Sequence, residues 1–238
     1  MADLILRINN KIDSALSKCK HAVNFIREGL HMNKATIHLA VYDTMADWEY
    51  GYVVAHINSA EFQKSPGHFE IRTVGETLEP ITTKGGIRIL PDMCLDNLSP
   101  TDSQLLILPG ADTAAEGGIE LFVDMAARYL SADVPVAAIC GATAALAKRG
   151  LLDELPHTSN AKEFLQMTGY KGSDCYIDKP AVTGGNLITA SGVAPVAFAA
   201  EIFRMLGLFA DNTLEAWWQL FEHKDPAGFY QLMEEPSK

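Results

Sequence analysis

Apolar residues recur along this chain in two rhythms, and the change from one to the other outlines the fold. Near the start, Ile5, Ile8, Ile12, Leu16, Cys19, Val23, Ile26 and Leu30 fall at intervals of three and four. That is the period of an amphipathic helix over residues 4–30, with Gly29 near its end. From residue 35 the pattern changes. Strand-length runs rich in apolar residues, at 35–42, 105–110 and 134–140, alternate with stretches of helical period such as 119–130. Leu105-Leu106-Ile107-Leu108, stopped by Pro109-Gly110, has no polar face and suits a parallel strand covered on both sides.

The remaining segments extend this alternation. His68 to Val74 reads as a second strand, Gly85 to Leu90 as an extended piece, and Asp92 to Leu98 as irregular. Asp43 to Tyr50 reads as a loop entering a helix through Val53, Val54 and Ile57, and residues 161–168 as another helix. Cys175 to Val182 and Asn186 to Ala190 read as strands joined at Gly184-Gly185, followed by a helix from Pro195 to Leu206. The aromatic-rich tail, with Trp217, Trp218, Phe221, Phe229 and Tyr230, predicts two helical pieces parted by Asp225-Pro226. The expectation is an α/β domain over 34–238 with a mostly parallel sheet, a helical tail at 212–238 and an N-terminal helical extension at 1–33. In such sheets, sites form where strands end at their carboxyl side. Asp43 to Glu49, Pro109 to Ala111, and Cys140 to Gly141 leave strands there.

Charge and cysteine usage narrow the partners. The net charge is −11, from 19 basic and 30 acidic side chains with no Lys/Arg run, which argues against nucleic acid and anionic membranes. No apolar run approaches transmembrane length. Cys19, Cys94, Cys140 and Cys175 show neither a CxxC nor metal-ligand spacing. With no signal-like start, they read as reduced thiols of a cytoplasmic protein.

One stretch carries candidate chemistry. In Val134 to Ala147 an apolar run ends on Cys140, and small residues open a helix at once. A sharp strand-to-helix turn of this kind holds a nucleophile at a helix N-terminus, where free N–H groups favour a thiolate. The other reading of the same residues is a buried core cysteine on an ordinary strand–helix connection.

Here the chain resembles the ThiJ/PfpI family of the class I glutamine amidotransferase-like superfamily, over roughly residues 35–207. The resemblance rests on Met45-Ala46-Asp47-Trp48-Glu49, Leu108-Pro109-Gly110-Ala111, Ala138-Ile139-Cys140-Gly141-Ala142 and Asn186 to Gly192. It implies a flavodoxin-like three-layer sandwich, commonly dimeric, so a homodimer is expected. It also implies that Cys140 is the reactive cysteine and Glu49 the carboxyl at its sulfur. The backbone N–H groups of Ala111 and Gly141 match the oxyanion-hole positions. No metal or organic cofactor is implied.

The departures bear on mechanism. Protease-like members of the family place a histidine directly after the cysteine, where this chain has Gly141. Others supply one before the last strand, where Ser173 to Asp178 stand. His157, after the elbow helix, is the remaining candidate base. Asp47 reads as a helix-start carboxylate, His38 as a core histidine, and Trp48 and the Trp217-Trp218 pair as packing residues. Two functions follow as expectations. One is a cysteine-dependent hydrolase or lyase-type enzyme acting on a small carbonyl or amide compound, with amidase and glyoxalase-like activity both in view. The other is a non-enzymatic thiol sensor of oxidative or carbonyl stress, or a ligand-binding protein.

Overall fold

Three strands of this fold have almost no water-facing side chain, and helices on both sides cover them. The computed structural model describes residues 34–234, so the helix expected over 4–30 lies outside the described residues. In chain order the elements are β1 (Ala35–Ala40), α1 (Gly51–Ser59), β2 (Phe69–Gly75), β3 (Ile81–Thr82), β4 (Arg88–Ile89), β5 (Met93–Cys94) and β6 (Leu105–Leu108). There follow α2 (Glu120–Ser131), β7 (Val136–Ile139), α3 (Gly141–Lys148), α4 (Lys162–Gln166), β8 (Ala181–Gly184) and β9 (Leu187–Ala190). The chain continues with α5 (Pro195–Leu206), α6 (Asp211–Phe221) and α7 (Ala227–Glu234). Every residue of β6, β7 and β9 is buried, as a strand sandwiched between helical layers requires.

The main sheet has seven strands in the order β5-β2-β1-β6-β7-β9-β8. All neighbours are parallel except β8 and β9, which form an antiparallel edge. Helices cover both faces, giving the flavodoxin-like architecture expected from the sequence. From β1 the strand order runs outward one way through β2 and the other way through β6 and β7. A crevice opens at such a switch point, outside the carboxyl ends of the central strands. The segments leaving β1, β6 and β7 meet in it.

Two local expectations needed correction. Residues 92–98 contain β5, which pairs with β2 through Val74↔Met93 and Gly75↔Cys94, and a turn of 3-10 helix at Leu95–Asn97. A two-residue strand leaves no periodicity to read. The strand expected from Cys175 begins only at Ala181, because Ser173–Cys175 forms a 3-10 turn instead. The extended piece expected at Gly85 to Leu90 contains β4, which forms a small hairpin with β3.

The aromatic tail is part of the core. Trp217 of α6 is fully buried, and its indole N–H donates to His56 Nε2 of α1 at 3.0 Å. Its ring stands edge-on to Tyr52 and Phe203 and leans on Phe221, so α6 ties α1 to α5. Trp217→Ala is therefore expected to cost about 3–5 kcal/mol, read as a lower urea midpoint at unchanged slope. An unchanged midpoint would mean that α6 is an appendage.

Candidate functional site

Cys140 is the last residue before α3 and sits at φ 60°, ψ −126°, a conformation that side-chain-bearing residues avoid. The surroundings hold it there. Its N–H donates to Ala190 C=O at 3.0 Å, continuing the β7–β9 ladder past the strand end. Its C=O accepts from the Thr143 N–H at 3.1 Å and from the Thr143 hydroxyl at 2.6 Å. This is a strained strand-to-helix elbow that turns a half-buried sulfur into the crevice.

Glu49 arrives from the loop between β1 and α1 and is completely buried. Its Oε2 accepts the Gly110 N–H at 2.5 Å. Oε1 is buried with no conventional hydrogen-bond partner among the described residues. Two glycines make the approach possible. A Cβ on Gly110 would fall 2.8 Å from Cys140 Cβ and 3.1 Å from Glu49 Oε2. One on Gly192 would fall 2.6 Å from the sulfur and 3.2 Å from Glu49 Oε1. At both positions the missing side chain is what lets backbone pack against the pair.

Burial pushes the Glu49 carboxyl up to about 7, against the Gly110 hydrogen bond, which favours the charged form. The Cys140 thiol is also pushed up, by burial first and then by the Glu49 carboxylate. A hydrogen bond from Asn160 and the Gly141 N–H pull the other way. The sequence predicts a thiol lowered by the helix N-terminus; in the crevice, desolvation and a neighbouring carboxylate outweigh that dipole. The two groups titrate as one unit, because each proton loss raises the cost of the next. Tyr42 lies beside the same pair, its hydroxyl donating to Pro109 C=O. Its phenol is held well above its ordinary value by burial and then by the charges of Glu49 and Cys140.

The Ala111 and Gly141 amides stand beside the pair. In the Met45–Ala111 bridge the hydrogen bonds are made by their neighbours. Ala46 N–H donates to Gly110 C=O at 2.9 Å, and Asp112 N–H to the Thr44 hydroxyl at 3.1 Å. The Ala111 amide is thus not spent on the ladder. Gly141 lies against it, since a Cβ there would fall 3.7 Å from Ala111 N.

His157 does not join this group. It is buried, with Nδ1 2.7 Å from Leu155 C=O and Nε2 3.2 Å from the Tyr170 hydroxyl. Both ring nitrogens are engaged, and the ring packs edge-on to Tyr170 and Tyr176. The candidate base of the sequence is thus placed with Leu155, Tyr170 and Tyr176, and not among the groups that contact Cys140 and Glu49. His38 is the core histidine expected, bonded to Ser103 at 2.9 Å and pushed down to about 4, first by burial.

Three residues at the site escaped the sequence reading. Asn160 reaches the sulfur with Nδ2 at 3.4 Å and accepts the Gly192 N–H on Oδ1 at 2.8 Å. Trp48 does not pack away: it is 51% exposed, and its indole N–H donates to Gly192 C=O at 2.9 Å, at the rim. Asp47 does not cap α1. It accepts from the Thr83 hydroxyl at 2.5 Å and the Gly85 N–H at 2.6 Å, tying the Glu49 loop to the β3–β4 hairpin. Among the described residues, no group of three or more His, Cys, Asp or Glu side chains is placed to hold a metal ion. No helix among them is long and apolar enough to cross a membrane.

Known proteins share this fold. The sequence model described as "DJ-1/PfpI family" matches residues 33–205. A Bacillus subtilis protein described as "Uncharacterized protease YoaZ" is 40% identical over 205 residues, covering 85% of this chain and 98% of the relative. The crystal structure of a ThiJ/PfpI family protein from Bacillus anthracis aligns with a TM-score of 0.80 at 42% identity, over 87% of this chain and 98% of that one. The DJ-1 superfamily protein Atu0886 from Agrobacterium tumefaciens aligns at 0.71 with 34% identity, over 80% and 98% of the two chains.

The buried carboxyl sets a pH dependence of stability. The folded chain holds the Glu49 proton more tightly than the unfolded chain does. Its favourable contribution is therefore full below the ordinary carboxylate range and lost as pH rises through about 7. Glu49→Gln removes this titration. The variant is expected to melt higher than the parent above about 7 and to lose that advantage in acid. A melting difference that is flat with pH would show that Glu49 pays no desolvation cost.

Proposed function

The chain belongs to the DJ-1/PfpI family, and within that family we propose that it is a cysteine-dependent enzyme, a hydrolase or lyase acting on a small carbonyl or amide compound. The observation that carries this reading is the pairing of a half-buried Cys140 with a buried Glu49 beside the Ala111 and Gly141 amides at the sheet's switch point. The thiol proton passes to Glu49 Oε1 as the sulfur attacks the carbonyl carbon. The former carbonyl oxygen becomes an oxyanion that accepts from the Ala111 and Gly141 N–H groups, preorganised donors of the kind that stabilise such charge. Glu49 then returns the proton. With an amide it goes to the departing amine, and water cleaves the resulting thioester to acid and free thiol. With an aldehyde or ketone it goes to the oxyanion, giving a thiohemiacetal.

Glu49 is the ionisable side chain that acts directly on the sulfur, and it takes the proton-carrying role that a histidine would otherwise fill. A relative described as a protease supports an enzyme over a thiol sensor. The homodimer and the cytoplasmic setting implied by the sequence remain part of this proposal.

A panel of small carbonyl and amide compounds tests it, comparing the parent with Cys140→Ala. The expected result is multiple turnover in the parent and a loss of at least about a thousandfold in the variant, as for removal of a nucleophile. Stoichiometric modification of Cys140 without turnover would favour the sensor. Equal turnover in both proteins would place the chemistry elsewhere.

A further inference from the structure

We propose that Asn160 is a catalytic residue, which stabilises the Cys140 thiolate by donating a hydrogen bond where a cysteine hydrolase would ordinarily place a base. The proposal rests on the reading of Cys140 as nucleophile and adds the group that shares its charge. Its ground is the way the amide is fixed. A backbone N–H can only donate, so the atom that Asn160 turns to Gly192 N–H, at 2.8 Å, is its oxygen. The NH2 is thereby directed at the sulfur, 3.4 Å away. Gly192 lies against the sulfur with no room for a side chain, so the anchor and the acceptor are locked together.

The loop beneath is held as firmly. Thr158 N–H donates to Thr189 Oγ1 at 2.8 Å, and the Thr158 hydroxyl donates to Lys179 C=O at 2.8 Å. Ser159 and Thr143 hydroxyls meet at 2.6 Å, and the Thr143 hydroxyl also reaches the Cys140 C=O. Thr158, Ser159, Thr143 and Thr189 are all buried, while Asn160 itself is exposed at the mouth. A buried hydroxyl network thus places one rigid amide between the sulfur and a cleft of about 570 Å³.

An amide donates to an anion but accepts no proton at ordinary pH. When the S–H bond breaks and Glu49 Oε1 gains the proton, the negative charge moves from carboxylate to sulfur. The Asn160 N–H strengthens as that charge arrives, because donation to an ionised acceptor is about twice as strong as to a neutral one. Asn160 therefore favours the reactive form without competing for the proton, and Glu49 remains the carrier.

The test is the rate of Cys140 alkylation by iodoacetamide against pH in the full chain, with peptide mapping to isolate Cys140, for the parent, Asn160→Ala and Asn160→Asp. Glu49 and Tyr42 face the sulfur, and Asp178, Lys179, Glu222 and Lys224 line the cleft beside Asn160. All six are common to the three proteins, so differences between profiles belong to residue 160. Asn160→Ala is expected to be about tenfold slower at neutral pH, with its profile displaced to higher pH. Asn160→Asp keeps an acceptor for Gly192 N–H and sets a second carboxylate at the sulfur. It should be slower still, with a limiting rate at high pH close to the parent's. Should the alanine variant unfold, the aspartate variant decides alone. Coincident profiles, or an aspartate variant matching the parent, would overturn the proposal by showing that Asn160 only anchors Gly192. Alkylation needs no turnover, so a parent that turns nothing over while keeping this order of rates would count against the enzyme reading alone.

Discussion

A completely buried carboxyl group and a half-buried thiol within reach of each other constrain everything around them. Neither ionises independently, because the charge of one raises the cost of charging the other. The fold creates this situation by bringing three strand ends to one switch point: β1 sends Glu49, β6 sends Gly110 and Ala111, and β7 sends Cys140. The backbone must then come very close. Gly110 and Gly192 lie against the pair where any Cβ would collide with it. Cys140 takes a positive φ, which costs about 1–3 kcal/mol. Strand pairing to Ala190 and the Thr143 bonds to its carbonyl offset that strain.

Opposed effects act on the sulfur, and their balance decides what the thiol is. The α3 N-terminus and the Asn160 amide favour a thiolate. Burial and the Glu49 carboxylate oppose it and together prevail, so Cys140 is held above its ordinary value. Burial raises Glu49 as well, to about 7. The outcome is a thiol whose reactivity depends on where its neighbour's proton sits, in contrast to a thiol activated by a dipole alone. Once Glu49 is protonated its repulsion of the sulfur disappears, and burial alone is left to oppose the donors on the sulfur side.

The long apolar runs were legible because periodicity reports burial. Leu105 to Leu108, the 134–140 run and Pro195 to Leu206 read directly as β6, β7 and α5. The two-residue strand β5 and the late start of β8 were not legible, since short pairings depend on what lies next to them in space. The same distinction separates the site residues. Cys140, Glu49, Ala111 and Gly141 lie in contiguous motifs at strand ends. Asn160 comes from a loop whose position is set by the buried Thr158–Thr189 and Ser159–Thr143 contacts, none of which leaves a local pattern. Placed among five consecutive polar or turn-forming residues, Pro156 to Asn160, His157 drew notice by its chemistry, yet Leu155 and Tyr170 consume both its nitrogens. Asp47 looked like a cap and is instead the tie between the Glu49 loop and the β3–β4 hairpin.

Glu49 and Cys140 titrate as one unit around a shared proton. Infrared difference spectroscopy across pH reads both partners in one sample, through the S–H stretch of the thiol and the C=O stretch of a protonated carboxyl, with Cys140→Ala and Glu49→Gln assigning the bands. The Glu49 band is expected to change over an interval beginning at about 7 and the S–H band only above the ordinary thiol range, and Glu49→Gln is expected to displace the S–H titration to lower pH. A carboxyl band that titrates in the ordinary carboxylate range while the S–H band stays unchanged, in parent and variant alike, would contradict this coupling.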